Sequence, residues 1–247
     1  MYTQRFKNRI IISGVNVESY TYEKLILKNY KRHKRKVKKK DDDILKNEKK
    51  KKSNFSINRT RTRIRRLVNS NSNLRKFLTL TSKITDVKKS NYCFNLFTQR
   101  LKDRYPEFKY IAVIEFQKDI DFFGKKKING GAVHYHLICD LRYVKSKQLQ
   151  DIWTHGFIKI KKVNTVKNLG FYLCKYLQKD MSDKRLFGKK KFFCSRDLEE
   201  PDERIGDRAI AFMKHNIQNL KFIKEYTFEN DYLGKVSYKI FNFKRNV

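Results

Sequence analysis

A chain of 247 residues, 39% of them hydrophobic, is long enough for one domain of ordinary size with extensions and can supply a core. Sixty Lys and Arg against 25 Asp and Glu leave a formal charge of +35, which folding does not require and which favours a polyanionic partner, nucleic acid before an anionic membrane. No apolar run approaches the ~20 residues that span a bilayer and no signal peptide opens the chain, so a soluble, intracellular protein without a membrane partner is expected.

The first seventy residues hold the dense basic runs "KRHKRKVKKK" and "KKKK", with few apolar residues in the middle. They are expected to form a largely disordered nucleic-acid-binding arm. The arm ends in "RTRIRRLVNSN", where Ile64, Leu67 and Val68 at helical spacing predict a short basic helix, with Arg63, Arg65 and Arg66 as candidate DNA contacts. A domain over 71–200 follows. "KFLTLTS" alternates and predicts a strand, with Thr79 and Thr81 as further candidate DNA contacts. "DVKKSNYCFNLFTQRLKDRYP" reads as a helix stopped by proline, and "KYIAVIEFQK" and "AVHYHLICDL" as strands. "VKSKQLQDIWTHG" predicts a helix, "FIKIKKV" a strand, "TVKNLGFYLCKYLQKD" a helix and "KKFFCSR" a fifth strand. This order fits an α+β domain, a central antiparallel sheet of about five strands with helices packed on it. Beyond Pro201, "DERIGDRAIAFMKHNI" looks helical, and "KEYTFEN" with "KVSYKIFNF" looks like a terminal hairpin in an extension whose role is unreadable. Cys93, Cys139, Cys174 and Cys194 are widely spaced with no C-x-x-C pair, so reduced and mostly buried thiols are expected rather than a zinc knuckle or a disulfide framework.

Alternation along "AVHYHLICDL" points His134 and His136 one way and Val133, Tyr135, Leu137 and Cys139 the other, the second set reading as a buried face. On the neighbouring strand, Tyr110, Ala112, Ile114 and Phe116 form the apolar face and leave Glu115 to join the histidines. Two imidazoles and a carboxylate leave coordination positions open, as a catalytic divalent ion needs, and Mg²⁺ or Mn²⁺ suits a phosphate substrate. In "FYLCKYLQKD", Tyr172, Lys175, Tyr176 and Lys179 fall on one helical stripe, apart from Leu169, Leu173 and Leu177, which suggests a polar cleft. A phenol beside a lysine can attack phosphorus and conserve the phosphodiester as a phosphotyrosine link, so that strand joining needs no ATP.

The ordered set "FLTLTS", "EFQ" with "HYHL", and "YLCKY" resembles the three motifs of HUH endonucleases, specifically the rolling-circle replication initiators (Rep proteins) of small single-stranded DNA phages and plasmids. The resemblance spans roughly 74–196. It implies a ferredoxin-like or RNA-recognition-like sheet, with His134, His136 and Glu115 as ligands to Mg²⁺ or Mn²⁺. It further implies Tyr172 or Tyr176 as nucleophile, Lys175 as its assistant and Lys179 as a DNA contact. The implied activity is a DNA endonuclease and strand transferase that nicks single-stranded origin DNA, forms a 5′-phosphotyrosine link and later rejoins the strand. No G-x-x-x-x-G-K-[ST] stretch occurs, so a helicase and a polymerase would come from the host, a bacterial cytoplasm. A transposase or relaxase would use the same chemistry. A non-catalytic nucleic-acid-binding protein would explain the charge but leave the histidine, glutamate and tyrosine pattern as coincidence. The oligomeric state is not legible.

Overall fold

The computed structural model describes residues 3–29, 42–120, 122–128, 130–163, 169–170, 172–174, 183–186 and 189–244, and the side chains of all of these except 42–54. Two units divide the chain, one of Asp43–Glu199 and one of Met1–Asp42 with Glu200–Val247.

The first unit carries the sheet expected from alternation. Its strands are β3 (Lys76–Leu80), β4 (Tyr110–Phe116), β5 (Val133–Cys139), β6 (Ile158–Lys162) and β7 (Phe192–Cys194), in the order β6-β3-β5-β4-β7, every neighbouring pair antiparallel. All five coincide with predicted strands. One face is covered by α2 (Val87–Arg104) and α3 (Ser146–Trp153). Asp86 caps α2 by accepting a hydrogen bond from the Lys89 amide at 2.7 Å, and Lys102 and Arg104 lie in its last turn, where the helix dipole favours cations. Tyr135, between the two histidines, points into this layer. Its ring stacks on Phe94 at 4.2 Å and its hydroxyl donates to Ser90 or Asn91. Phe94, Phe97 and Trp153 are fully buried on this face, and the transfer of each from water contributes roughly 1.5–3 kcal/mol.

The opposite face is not the open polar cleft that the helical stripe suggested. Phe77, Ile111, Val113 and Ile138 form a second apolar cluster with Ile64, Leu67 and Val68 of α1 (Asp42–Ser70) and with Leu173 and Cys174. Helix α1 is far longer than the short basic helix expected from "RTRIRRLVNSN". Residues 169, 170 and 172–174 are helical, and at Gly170 they approach α1 so closely that a Cβ would lie 2.8 Å from the Arg65 Cα.

The second unit corrects the expected disordered arm and the detached C-terminal extension. Strands β1 (Gln4–Ser13) and β2 (Asn16–Lys28) form a hairpin through Gly14, whose φ of 55° suits a glycine. They join β8 (Asp202–Ile205), β9 (Leu220–Asn230) and β10 (Gly234–Phe243) in the antiparallel order β8-β1-β2-β10-β9. The predicted helix over 202–217 is therefore a strand at its start and a helix only over Asp207–Asn216. That helix packs Ala209 and Phe212 on Ile10, Val17 and Phe241. The local cause is long-range pairing: β2 finds its second partner, β10, near the other end of the chain, which no local pattern reveals.

Candidate active site

The antiparallel register sets the site. Glu115 on β4 lies directly opposite His134 on β5, and His136 lies between Val113 on β4 and Thr79 on β3. All of these share a face, with Lys159 opposite Thr79 and Lys161 opposite Phe77 on β6. His136 is only 6% exposed and its ring is held from three sides. Its Nε2 is 2.5 Å from Glu115 Oε2, its Nδ1 is 3.2 Å from Thr79 Oγ1, and Phe77 stacks against it at 5.7 Å. Thr81, by contrast, is occupied by the backbone: its hydroxyl accepts from the Phe157 amide and donates to the Phe157 carbonyl, which fixes the start of β6.

His134 differs from His136. Its Nε2 is buried and has no hydrogen-bond partner. Burial pushes its pKa below the usual histidine value, the neighbouring His136 and Lys127 add to the lowering, and Glu115 pulls the other way. The neutral imidazole that results is the form that ligates a cation. Among the described residues, no three His, Cys, Asp or Glu side chains are grouped as a ready metal cluster. The donor chemistry nonetheless fits a divalent ion: an orphaned buried imidazole nitrogen stands on the same face as an imidazole and a carboxylate already in contact. Separating the His136–Glu115 pair would turn both donors towards an ion.

Tyr172 reaches this face from the helical residues 172–174. Its ring meets Phe77 edge-on at 5.2 Å, so one aromatic ring separates it from His136. Lys161 Nζ donates to the Tyr172 hydroxyl at 3.1 Å and also lies over the Phe77 ring. The ammonium beside this phenol thus comes from a strand. Lys175, Tyr176 and Lys179 lie outside the described residues. Arg63 is exposed and Arg65 and Arg66 are partly exposed on α1. A cavity of about 200 Å³ lined by Asn58, Arg61, Thr62, Arg65 and Cys174 sits where α1 meets the residues carrying Tyr172.

Sequence reasoning missed two features. Lys161 is one; the alternation of "FIKIKKV" puts Lys159 and Lys161 on the site face once β6 is paired with β3. The other is the segment between β4 and β5, where Phe122 and Phe123 are 95% and 90% exposed next to Lys125, Lys126 and Lys127. Two adjacent phenylalanines among glycine and lysines, outside any helical or strand period, were the available signal. Arg185 anchors this segment: it pairs with Asp183, donates to Asp119 and the Gly131 carbonyl, and lies 3.8 Å from the Phe116 ring centroid.

The fold and site define an α+β protein with a histidine, glutamate and tyrosine set on one sheet face. Residues 75–181 match the family model of the replication-associated protein ORF2. The match supports a replication initiator of the Rep kind, linked to DNA replication, and spans every described residue of the site. Neither the curated proteins nor the solved structures provide a match. The four cysteines are free, three of them buried, as expected. Among the described residues no helix is long and apolar enough to cross a membrane.

Proposed function

We propose that this protein initiates rolling-circle replication by nicking single-stranded origin DNA and holding the 5′ end as a phosphotyrosine. The observation that carries the reading is the Tyr172 hydroxyl, held by Lys161 at 3.1 Å on the sheet face that bears His134, His136 and Glu115. The Tyr172 oxygen attacks phosphorus as its proton leaves to solvent; the P–O3′ bond breaks and the 3′ oxygen departs as a hydroxyl after taking up a proton. Lys161 stabilises negative charge developing on the attacking oxygen. Mg²⁺ or Mn²⁺ held by His134, His136 and Glu115 would supply charge neutralisation at a non-bridging phosphate oxygen. Attack by a 3′ hydroxyl on the same phosphorus reverses the step and rejoins a strand. Tyr176, four residues on, would allow a second transfer, with Lys175 and Lys179 beside the bound phosphates. Phe122 and Phe123 offer faces for unpaired bases, and Lys125 to Lys127, Arg63, Arg65 and Arg66 offer charge to phosphates. Unwinding and synthesis would fall to a host helicase and polymerase in a bacterial cytoplasm.

The test is incubation of the full chain with labelled single-stranded origin candidates and Mn²⁺ or Mg²⁺. A covalent protein–DNA band whose trapped peptide carries the nucleotide at Tyr172 or Tyr176 is expected. A nucleotide on another residue, or DNA binding without any adduct on any candidate, would overturn the reading in favour of another nuclease or a binding protein.

A further inference from the structure

Strand β9 is the edge of its sheet, paired only with β10, and every residue from Lys221 to Glu229 is exposed. An edge strand eleven residues long offers a row of unpaired backbone donors and acceptors to another strand. Most natural edges are short, kinked or purely charged. This one presents Ile223, Tyr226 and Phe228 to solvent. Its one irregularity is a register shift opposite Ile240 and Phe241, which leaves 224–230 regular.

Tyr226 also ends a ladder. Tyr20 on β2, Tyr238 on β10 and Tyr226 on β9 are directly opposite one another in register. Their rings stack, Tyr20 on Tyr238 at 4.6 Å and Tyr238 on Tyr226 at 5.9 Å, and Lys224 lies over the Tyr226 ring at 4.6 Å. Stacked cross-strand aromatics of this kind are the units that stabilise a sheet. At β9 the row stops, with no further strand beyond it in the sheet.

We propose that β9 pairs antiparallel with β9 of a second copy of this chain, about a two-fold axis at Tyr226, so that two five-stranded sheets become one of ten. Charge selects the register. A two-fold axis perpendicular to a continuous sheet sets one residue of the strand opposite its own copy. An axis at Lys224 opposes two lysines, and an axis at Glu225 opposes two glutamates. An axis at Thr227 sets Glu225 against Glu229. The axis at Tyr226 sets Tyr226 against Tyr226, Lys224 against Phe228 and Glu225 against Thr227, with no like charges directly opposed. It also continues the tyrosine row across the junction. The partner is therefore a second copy, with the added backbone ladder and the burial of Tyr226 and Phe228 as the driving terms.

The experiment measures the mass of the nuclease-treated full chain by light scattering in high salt, which removes bridging nucleic acid. Twice the monomer mass at tens of micromolar is expected, reverting to monomer in Tyr226→Lys with an unchanged circular dichroism spectrum. Under mild oxidation Tyr226→Cys should crosslink to itself, because opposed residues of an antiparallel pair bring Cα atoms within disulfide reach, and Glu225→Cys should crosslink several-fold less. Monomer at every concentration, or equal crosslinking at both positions, overturns the proposal. So does a monomer in which Tyr226→Lys changes affinity for single-stranded oligonucleotide, which would make the tyrosine row a stacking surface for bases.

Discussion

At the scale of single residues, Tyr172 and Lys161 make separable predictions. Tyr172→Phe keeps the ring against Phe77 and removes only the attacking oxygen. Adduct formation should fall by about a hundredfold or more while affinity for single-stranded DNA stays unchanged, with Tyr172→Phe/Tyr176→Phe abolishing it, as read by denaturing gels and equilibrium binding. Lys161→Met keeps the aliphatic stem over Phe77 and removes the charge beside the phenol. The nicking rate should fall by roughly ten- to a hundredfold and recover in part at higher pH, where more phenolate forms without help. A Lys161→Met protein with full rate would show that the lysine only packs. Of these two residues the sequence disclosed one. The tyrosine stood in a motif, whereas Lys161 became a partner only through the Phe77–Lys161 register across β3 and β6.

At the scale of elements, the site depends on two close fits. Gly170 lets the residues carrying Tyr172 approach α1, and an alanine there would place Cβ 2.8 Å from the Arg65 Cα, a backbone atom that cannot swing aside. Gly170→Ala should destabilise the protein by about 1–3 kcal/mol in chemical denaturation and lower adduct formation although Tyr172 itself is intact. The second fit is the Arg185 anchor. The hydrogen bond from the Arg185 guanidinium holds the Asp183 carboxyl below its ordinary pKa, against the opposing effect of burial. A depressed folded pKa gives stability that is present above the unfolded carboxylate value and lost as pH falls through the folded one. The stability difference between the native chain and Asp183→Asn should therefore be largest near neutrality and shrink below about pH 4, as urea titrations at several pH values would read. The five strands of the central sheet were legible because each alternates over a short run bounded by polar residues. Strands β1, β2 and β8 were not, because "QRFKNRIIIS" sits inside the most basic stretch of the chain and its partners include one distant in sequence. The buried histidine face was hidden for a related reason: Ile64, Leu67 and Leu173 cover it from helices whose docking no periodicity specifies.

At the scale of the molecule, the charge of +35 makes binding to DNA a strong function of salt. The basic run of 31–40 lies outside the described residues. Replacing its lysines and arginines with serine should weaken single-strand binding alike for all sequences. It should also flatten the plot of log affinity against log salt by about 0.7 for each phosphate that the run had neutralised. The position of the nick should not move, since phosphate contacts carry no direct sequence information. An unchanged slope would take the run out of the interface.

The β1–β2 hairpin and the β9–β10 hairpin complete one sheet from opposite ends of the chain, with the whole of Asp43–Glu199 inserted between them. Synthesis runs in one direction, so the first hairpin leaves the ribosome with β2 unpaired on one side and waits through most of translation for β10. The inserted unit, whose partners are all nearer in sequence, can fold meanwhile. A chain that terminates early would then carry a finished central sheet and an unfinished second one. Completion of the last strand marks a full-length product, and a truncated chain is left with an open β2 edge that chaperones and proteases can recognise.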